Sequence, residues 1–229
     1  MKNRSIIEEQ IKYYRKRASE YDQWFLRLGR YDRGDEHKRR WFAELDIIRK
    51  ELRASEPFDQ CLELACGTGL WTSLLANGAK SLTAIDAVAE TIELSRSKLN
   101  NKSIQYETAD IFKWSPKKKY DFIFFGFWLS HVPADKFDSF WNTVQTALKP
   151  NGKVFFVDSL ETQQSTARDH AVLNKSGIVE RKLNDGQSFN VVKIFYKPEQ
   201  LNKRLQTLGW TGNIEKTGQF FYYGKMKLK

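Results

Sequence analysis

The segment Glu63-Leu64-Ala65-Cys66-Gly67-Thr68-Gly69 follows a short apolar run and precedes a helix-like stretch. Glycines in such a turn let the backbone approach a ligand with no side chain between them. A carboxylate at Glu63 argues against a phosphate ligand, which it would repel. Asp86 closes the next apolar run, Ser81-Leu82-Thr83-Ala84-Ile85, where a carboxylate can receive ribose hydroxyls. Asp110 falls just past a third run, residues 104–108. A ligand with a ribose, no phosphate and a cationic end suits these groups. Each carboxylate could instead serve as an ordinary helix cap.

The elements that must position these residues alternate strand and helix, as a doubly wound sheet demands. Strands are expected at 60–64, 81–86, 104–108, 120–125 and 153–158, with helices at 70–76, 88–99 and 133–148 between them. The run at 120–125 is nearly all apolar, as befits a strand buried on both faces. Asn184-Asp185-Gly186 between strand-like runs at 178–183 and 189–196 predicts a hairpin. A helix at 198–208 and two closing strands near 212–216 and 219–227 complete the pattern. Ahead of the sheet, apolar residues from Ile7 to Leu28 recur at helical steps, and a second helix carries Trp41, Phe42, Leu45, Ile48 and Leu52 before Pro57. Residues 1–56 are thus expected to form a helical cap over a core of 57–229, with a hairpin insertion at about 176–197.

Taken together, Glu63-x-Ala65-x-Gly67-x-Gly69 and Asp86 resemble the class I S-adenosylmethionine (SAM)-dependent methyltransferases, whose first motif reads acidic-x-Gly/Ala-x-Gly-x-Gly. The rival fingerprint Gly-x-Gly-x-x-Gly of dinucleotide binders is broken at Thr72. The resemblance spans most of the chain and implies a seven-stranded, mostly parallel α/β sheet with SAM as cofactor. It sets Glu63 near the methionine amino end, Ala65, Gly67 and Gly69 around the ligand, Asp86 with Ala87 at the ribose, and Asp110 with Ile111 at the adenine. Phe125 would border the same space.

Tyr14, Tyr21 and Asp22 form Tyr-x6-Tyr-Asp, a pattern many small-molecule methyltransferases carry ahead of the core, where the first aromatic closes over the cofactor. The same spacing also fits a packed amphipathic helix. Arg33 could pair with the cofactor carboxylate, or lie in a surface turn. The stretch 124–131, rich in aromatics, leads from the fourth strand to the rim of the site. Phe127, Trp128 and His131 would there border the acceptor, with His131 as a candidate general base or a structural residue.

Charge and composition narrow the partners. The net charge is +10, carried by 38 lysines and arginines interleaved with 28 acids. That reads as solvated surface, with a polyanion or an acidic ligand as the alternative. The Asp/Asn-Pro-Pro-aromatic motif of amino methyltransferases and the Pro-Cys nucleophile of cytosine enzymes are both missing, so nucleic acid is possible but not favoured. Cys61 and Cys66 sit too far apart on extended chain for a disulfide, and three scattered histidines give no metal site. No run suits a membrane span, and the charged N-terminus points to the cytoplasm. The expected activity is methyl transfer to a small-molecule acceptor. The alternatives are an RNA or protein methyltransferase and a module that binds SAM without turnover.

Overall fold

The apolar runs expected as strands assemble into one sheet. The protein is described here from a computed structural model covering residues 2–170 and 177–229. Phe58–Leu64 (β1), Ala79–Asp86 (β2), Ile104–Thr108 (β3), Tyr120–Gly126 (β4) and Leu148–Ser159 (β5) are parallel. Phe221–Leu228 (β9) lies antiparallel to β5, and Trp210–Lys216 (β8) closes the edge, giving the order β3-β2-β1-β4-β5-β9-β8. Ile178–Lys182 (β6) and Ser188–Val192 (β7) form a separate antiparallel ribbon. Chain order reverses between β1 and β4, so a crevice opens beyond their carboxyl ends, where ligands bind in open sheets.

Helices cover both faces. Phe137–Ala147 (α6) and Pro198–Thr207 (α7) pack with Phe125, Phe156 and Trp210 on one side. On the other, Thr72–Gly78 (α4), Ala89–Leu99 (α5) and Asp35–Arg53 (α3) meet Phe122, Phe124 and Phe155. Period-two alternation along β4 sends the adjacent Phe124 and Phe125 to opposite cores. A third, small core joins Tyr13 to Val179, Leu183, Phe189 and Val191 of the ribbon.

Three expectations need correction. The long N-terminal helix is two helices, Lys2–Arg17 (α1) and Tyr21–Phe25 (α2), separated by a 3₁₀ turn at Ala18–Glu20. The break lets Tyr13 face the ribbon while Trp24 and Phe25 turn into the sheet-side core beside Trp41. The helix expected from 133 begins only at Phe137, after 3₁₀ turns at Leu129–His131 and Ala134–Lys136. The second ribbon strand ends at Val192 rather than 196, because the Ile194 N–H leaves the ribbon and donates to the Ser130 carbonyl at 2.8 Å. The expected first residues of the cap and of the insertion, 1 and 176, lie outside the described residues.

Glu44 on α3 fastens the closing hairpin to the helices. Its carboxylate accepts from Thr217 Oγ1 (2.6 Å) and from the N–H groups of Gln219 (2.8 Å) and Phe220 (2.9 Å). Glu44→Ala strands these donors and should lower unfolding free energy by about 3 kcal/mol. Urea denaturation should show this as a lower midpoint at unchanged slope.

Candidate functional site

Two cavities meet beyond the carboxyl ends of β1, β2 and β4. The first, of about 700 Å³, is lined by Ala65, Gly67, Asp86, Ala87, Asp110 and Ile111 from the strand ends, and by Tyr14 and Tyr21 from the N-terminal helices. Phe127, Trp128 and His131 complete its far wall. The second, of about 580 Å³, lies between α1, the ribbon and the turn after β5. Tyr14, Tyr21, Phe127 and His131 line both.

The glycine turn is held open by Asp86. One carboxylate oxygen accepts the Gly67 N–H and the other the Val88 N–H, each at 2.9 Å. Burial pushes this carboxyl above its ordinary range, against the pull of those N–H groups. Gly67 (φ 54°) and Ala65 (φ 55°) both adopt the left-handed conformation. Alanine bears a steric cost there of about 1 kcal/mol. Asp110 accepts the Phe112 N–H at 3.0 Å and lies 3.3 Å from Lys113.

The cap is fastened over this turn by Asp22. Its carboxylate accepts from Thr68 Oγ1 in the turn and from Lys98 on α5, both at 2.5 Å. Tyr21 consequently lies over the glycine turn, 4.0 Å from where a Gly67 side chain would begin. A second fastening involves the 3₁₀ turn Gln163–Ser165. Trp24 donates to the Ser165 carbonyl (2.8 Å), Arg27 to Ser165 (3.1 Å) and Gln164 (2.9 Å), and His37 to Gln164 (3.1 Å). Burial holds the Arg27 guanidinium down to about 10 and keeps His37 neutral, so its ring N–H donates.

His131 is fixed at both ring nitrogens. Nδ1 lies 2.7 Å from the Val192 carbonyl, an acceptor only, so it carries the proton. Nε2, 3.0 Å from Tyr14 Oη, therefore accepts the tyrosine hydroxyl. Burial, followed by the nearby Lys193 ammonium, pushes the imidazole well below its usual range, so it is neutral at physiological pH.

Four of the expected site residues line neither cavity. Arg33 donates to the Gln163 (3.1 Å) and Thr166 (3.4 Å) carbonyls, joining the fastening above. Phe125 is fully buried against Phe140, Trp141 and Phe156, because alternation along β4 turns it to the α6 face. Any side chain on Gly69 would collide with Ser95 Oγ, so that glycine serves the packing of α5. Glu63 is buried behind the turn with its Oε2 unpartnered, and burial pushes its carboxyl up to about 8.

Sequence reasoning missed the contributors to the second cavity, among them Tyr13, Arg17, Tyr31, Arg181 and Lys193. A usable signal existed for some: Tyr14, Arg17 and Tyr21 recur at three and four residues, the spacing of one helical face.

A family model described as "methyltransferase domain" matches residues 61–152. The structure is similar to that of DhpI in complex with SAH, at 35% identity and TM-score 0.80, covering 97% of each chain. A DhpI-SAM-HEP complex gives 36% identity and TM-score 0.79, with the same coverage. Among curated proteins, the malonyl-[acyl-carrier protein] O-methyltransferase of Priestia megaterium is 31% identical over 100 residues. That match takes in 42% of this chain and 35% of the relative, so the chain spans about a third of that curated protein.

The Glu63 carboxyl gives a pH test that needs no ligand. Its folded value of about 8 exceeds its ordinary 4.5. The stability it permits is therefore complete below 4.5 and is lost as pH rises through about 8, at roughly 1.4 kcal/mol per pH unit in between. Glu63→Gln should flatten that part of the stability–pH curve, measured by urea denaturation across the window.

Proposed function

Because the chain belongs to the class I SAM-dependent methyltransferases, we propose that it moves the sulfonium methyl of bound SAM to a small-molecule acceptor in the adjoining cavity. The observation that carries this is the shared wall of Tyr14, Tyr21, Phe127 and His131 between two cavities. Methyl transfer is an in-line displacement that needs the accepting atom about 3–3.5 Å from the methyl carbon, opposite sulfur. A boundary common to both spaces permits that approach and excludes water from it. The second cavity is set between α1, the ribbon and the turn after β5 rather than along an open basic face, which favours a small acceptor over a nucleic acid. The curated relatives carry O-methyltransferase names, which supports oxygen as the receiving atom.

In this reading Asp86 receives the ribose hydroxyls, Asp110 the adenine amino group, and the Gly67 backbone lies along the cofactor. Tyr21 and Tyr14 close over it from the cap. SAM supplies an electrophilic methyl on a cationic sulfur, and the chain supplies alignment and a dry boundary. His131 acts here as a positioning residue. Its one lone pair is taken by Tyr14 and its N–H by Val192, so it holds the tyrosine at the boundary and ties the ribbon to it.

Mixing the purified protein with SAM and a panel of small acceptors should produce S-adenosylhomocysteine in step with methylated product. Tight SAM binding with no turnover on any acceptor would instead identify a binding module. Asp86→Ala should weaken SAM by roughly 1–3 kcal/mol in titration calorimetry. His131→Ala and Tyr14→Phe should each lower kcat by roughly 10- to 100-fold through misalignment, leaving the acidic limb of the rate–pH profile in place. Disappearance of that limb in His131→Ala alone would restore the general-base role.

A further inference from the structure

The second cavity contains more positive charge than the protein around it neutralises. Arg17, Arg181 and Lys193 all line it. Lys193 is balanced: its ammonium donates to Ser130 Oγ at 2.7 Å and lies 3.6 Å from Asp158. Asp158 is itself fully engaged, accepting from Ser130 N, Ser130 Oγ and Ser159 N at 2.7–2.8 Å. Among the described residues, no carboxylate lines the cavity itself.

The two arginines have no carboxylate in ion-pairing reach among the described residues. Arg17, only 9% exposed, donates to Tyr31 Oη at 3.3 Å and lies over the rings of Tyr21 and Tyr13 at 5.0 and 5.5 Å. Arg181 approaches His170 Nδ1 at 3.3 Å, while His170 Nε2 faces the Lys182 carbonyl at 3.4 Å. That imidazole donates its one proton to the carbonyl and accepts from Arg181, so it is neutral. His131 is neutral too, for the reasons given above. The cavity therefore holds two uncompensated guanidinium groups. Arg17 is buried and Arg181 partly so, and buried charges are ordinarily paired, since an unpaired one costs several kcal/mol. Here the missing partners belong to what enters the cavity.

We infer that the methyl acceptor is a small organic acid that brings two negative charges into this cavity, and that the methyl goes to one of its anionic oxygens. The inference rests on the methyl-transfer reading and names its substrate class. A lone pair of the oxyanion forms the O–C bond while the C–S bond breaks and its electrons remain on sulfur. The sulfonium becomes a neutral thioether and the acceptor loses one negative charge. No proton moves and no base is needed, in keeping with a histidine whose lone pair is occupied. The product is a monoanionic ester that leaves one arginine unpaired. That weakens its hold on the site and disfavours a second methylation.

Two probes share this chemistry and differ in source. Inorganic phosphate has both charges at one centre, and malonate has one at each end. Titrated into the protein loaded with S-adenosylhomocysteine, at a pH where both are doubly ionised, one or both should bind with one-to-one stoichiometry. Acetate and acetamide, of similar size, should bind at least roughly tenfold more weakly. Arg181→Gln should weaken the dianion by roughly 10- to 100-fold, and Arg181→Lys by less. The melting temperature of ligand-free Arg181→Gln should be unchanged or higher, because an unpaired, partly buried charge has gone; a merely structural arginine would lower it. The inference is overturned if neither dianion binds, if acetate or acetamide binds as tightly, or if Arg181→Gln leaves dianion affinity unchanged. Failure of S-adenosylhomocysteine itself to bind would instead sink the methyl-transfer reading.

Discussion

The enclosure of the site depends on four backbone carbonyls. Those of Gln163, Gln164, Ser165 and Thr166, just after β5, accept from Trp24, Arg27, Arg33 and His37 of the cap. In so short a 3₁₀ turn most of these carbonyls have no partner within the turn and would need water or another donor. By supplying cationic and aromatic donors, the helices ahead of the sheet become its roof. Once that roof is seated, α1 passes over the glycine turn, Tyr21 covers Gly67, and Tyr14 reaches His131. Asp22, bonded to Thr68 and Lys98, fixes the remaining side.

What was legible in the sequence follows from how locally each feature is encoded. Turn glycines, strand-ending carboxylates and alternation along β4 report on backbone a few residues away. The parallel core and the positions of Gly67, Asp86 and Asp110 could therefore be read directly. Phe125 shows where local reading stops: residue type indicates an aromatic wall, but the phase of the strand decides which core receives it. Arg33 shows the same limit in a turn. Its partners are carbonyls some 130 residues away, which leave no mark near the arginine. The break in the N-terminal helix was hidden for a related reason. Its apolar stripe is continuous in sequence while its two halves serve different cores.

Charge illustrates the difference between amount and location. Most of the cationic excess is solvated, as in the exposed pairs Lys80–Asp59 and Lys117–Glu107. A few cations are not, and Arg17, Arg181 and Lys193 come together only in three dimensions. Composition announces an excess of 38 basic residues over 28 acidic ones, yet it cannot say which of them face inward.

The ribbon of β6 and β7 has a consequence for how such proteins diversify. It carries Arg181, leads directly into Lys193, and joins the body through its packing on Tyr13 of α1 and through hydrogen bonds such as His131 to the Val192 carbonyl and Ile194 N–H to Ser130. No strand of the main sheet pairs with it. The first cavity is lined by strand ends of the sheet, whereas Arg181 and Val191 of this appendage, with Lys193 just after it, line the second. Selection can therefore rewrite the ribbon's inward side chains without altering the strand ends that line the first cavity, making it an interchangeable cartridge on a fixed sheet.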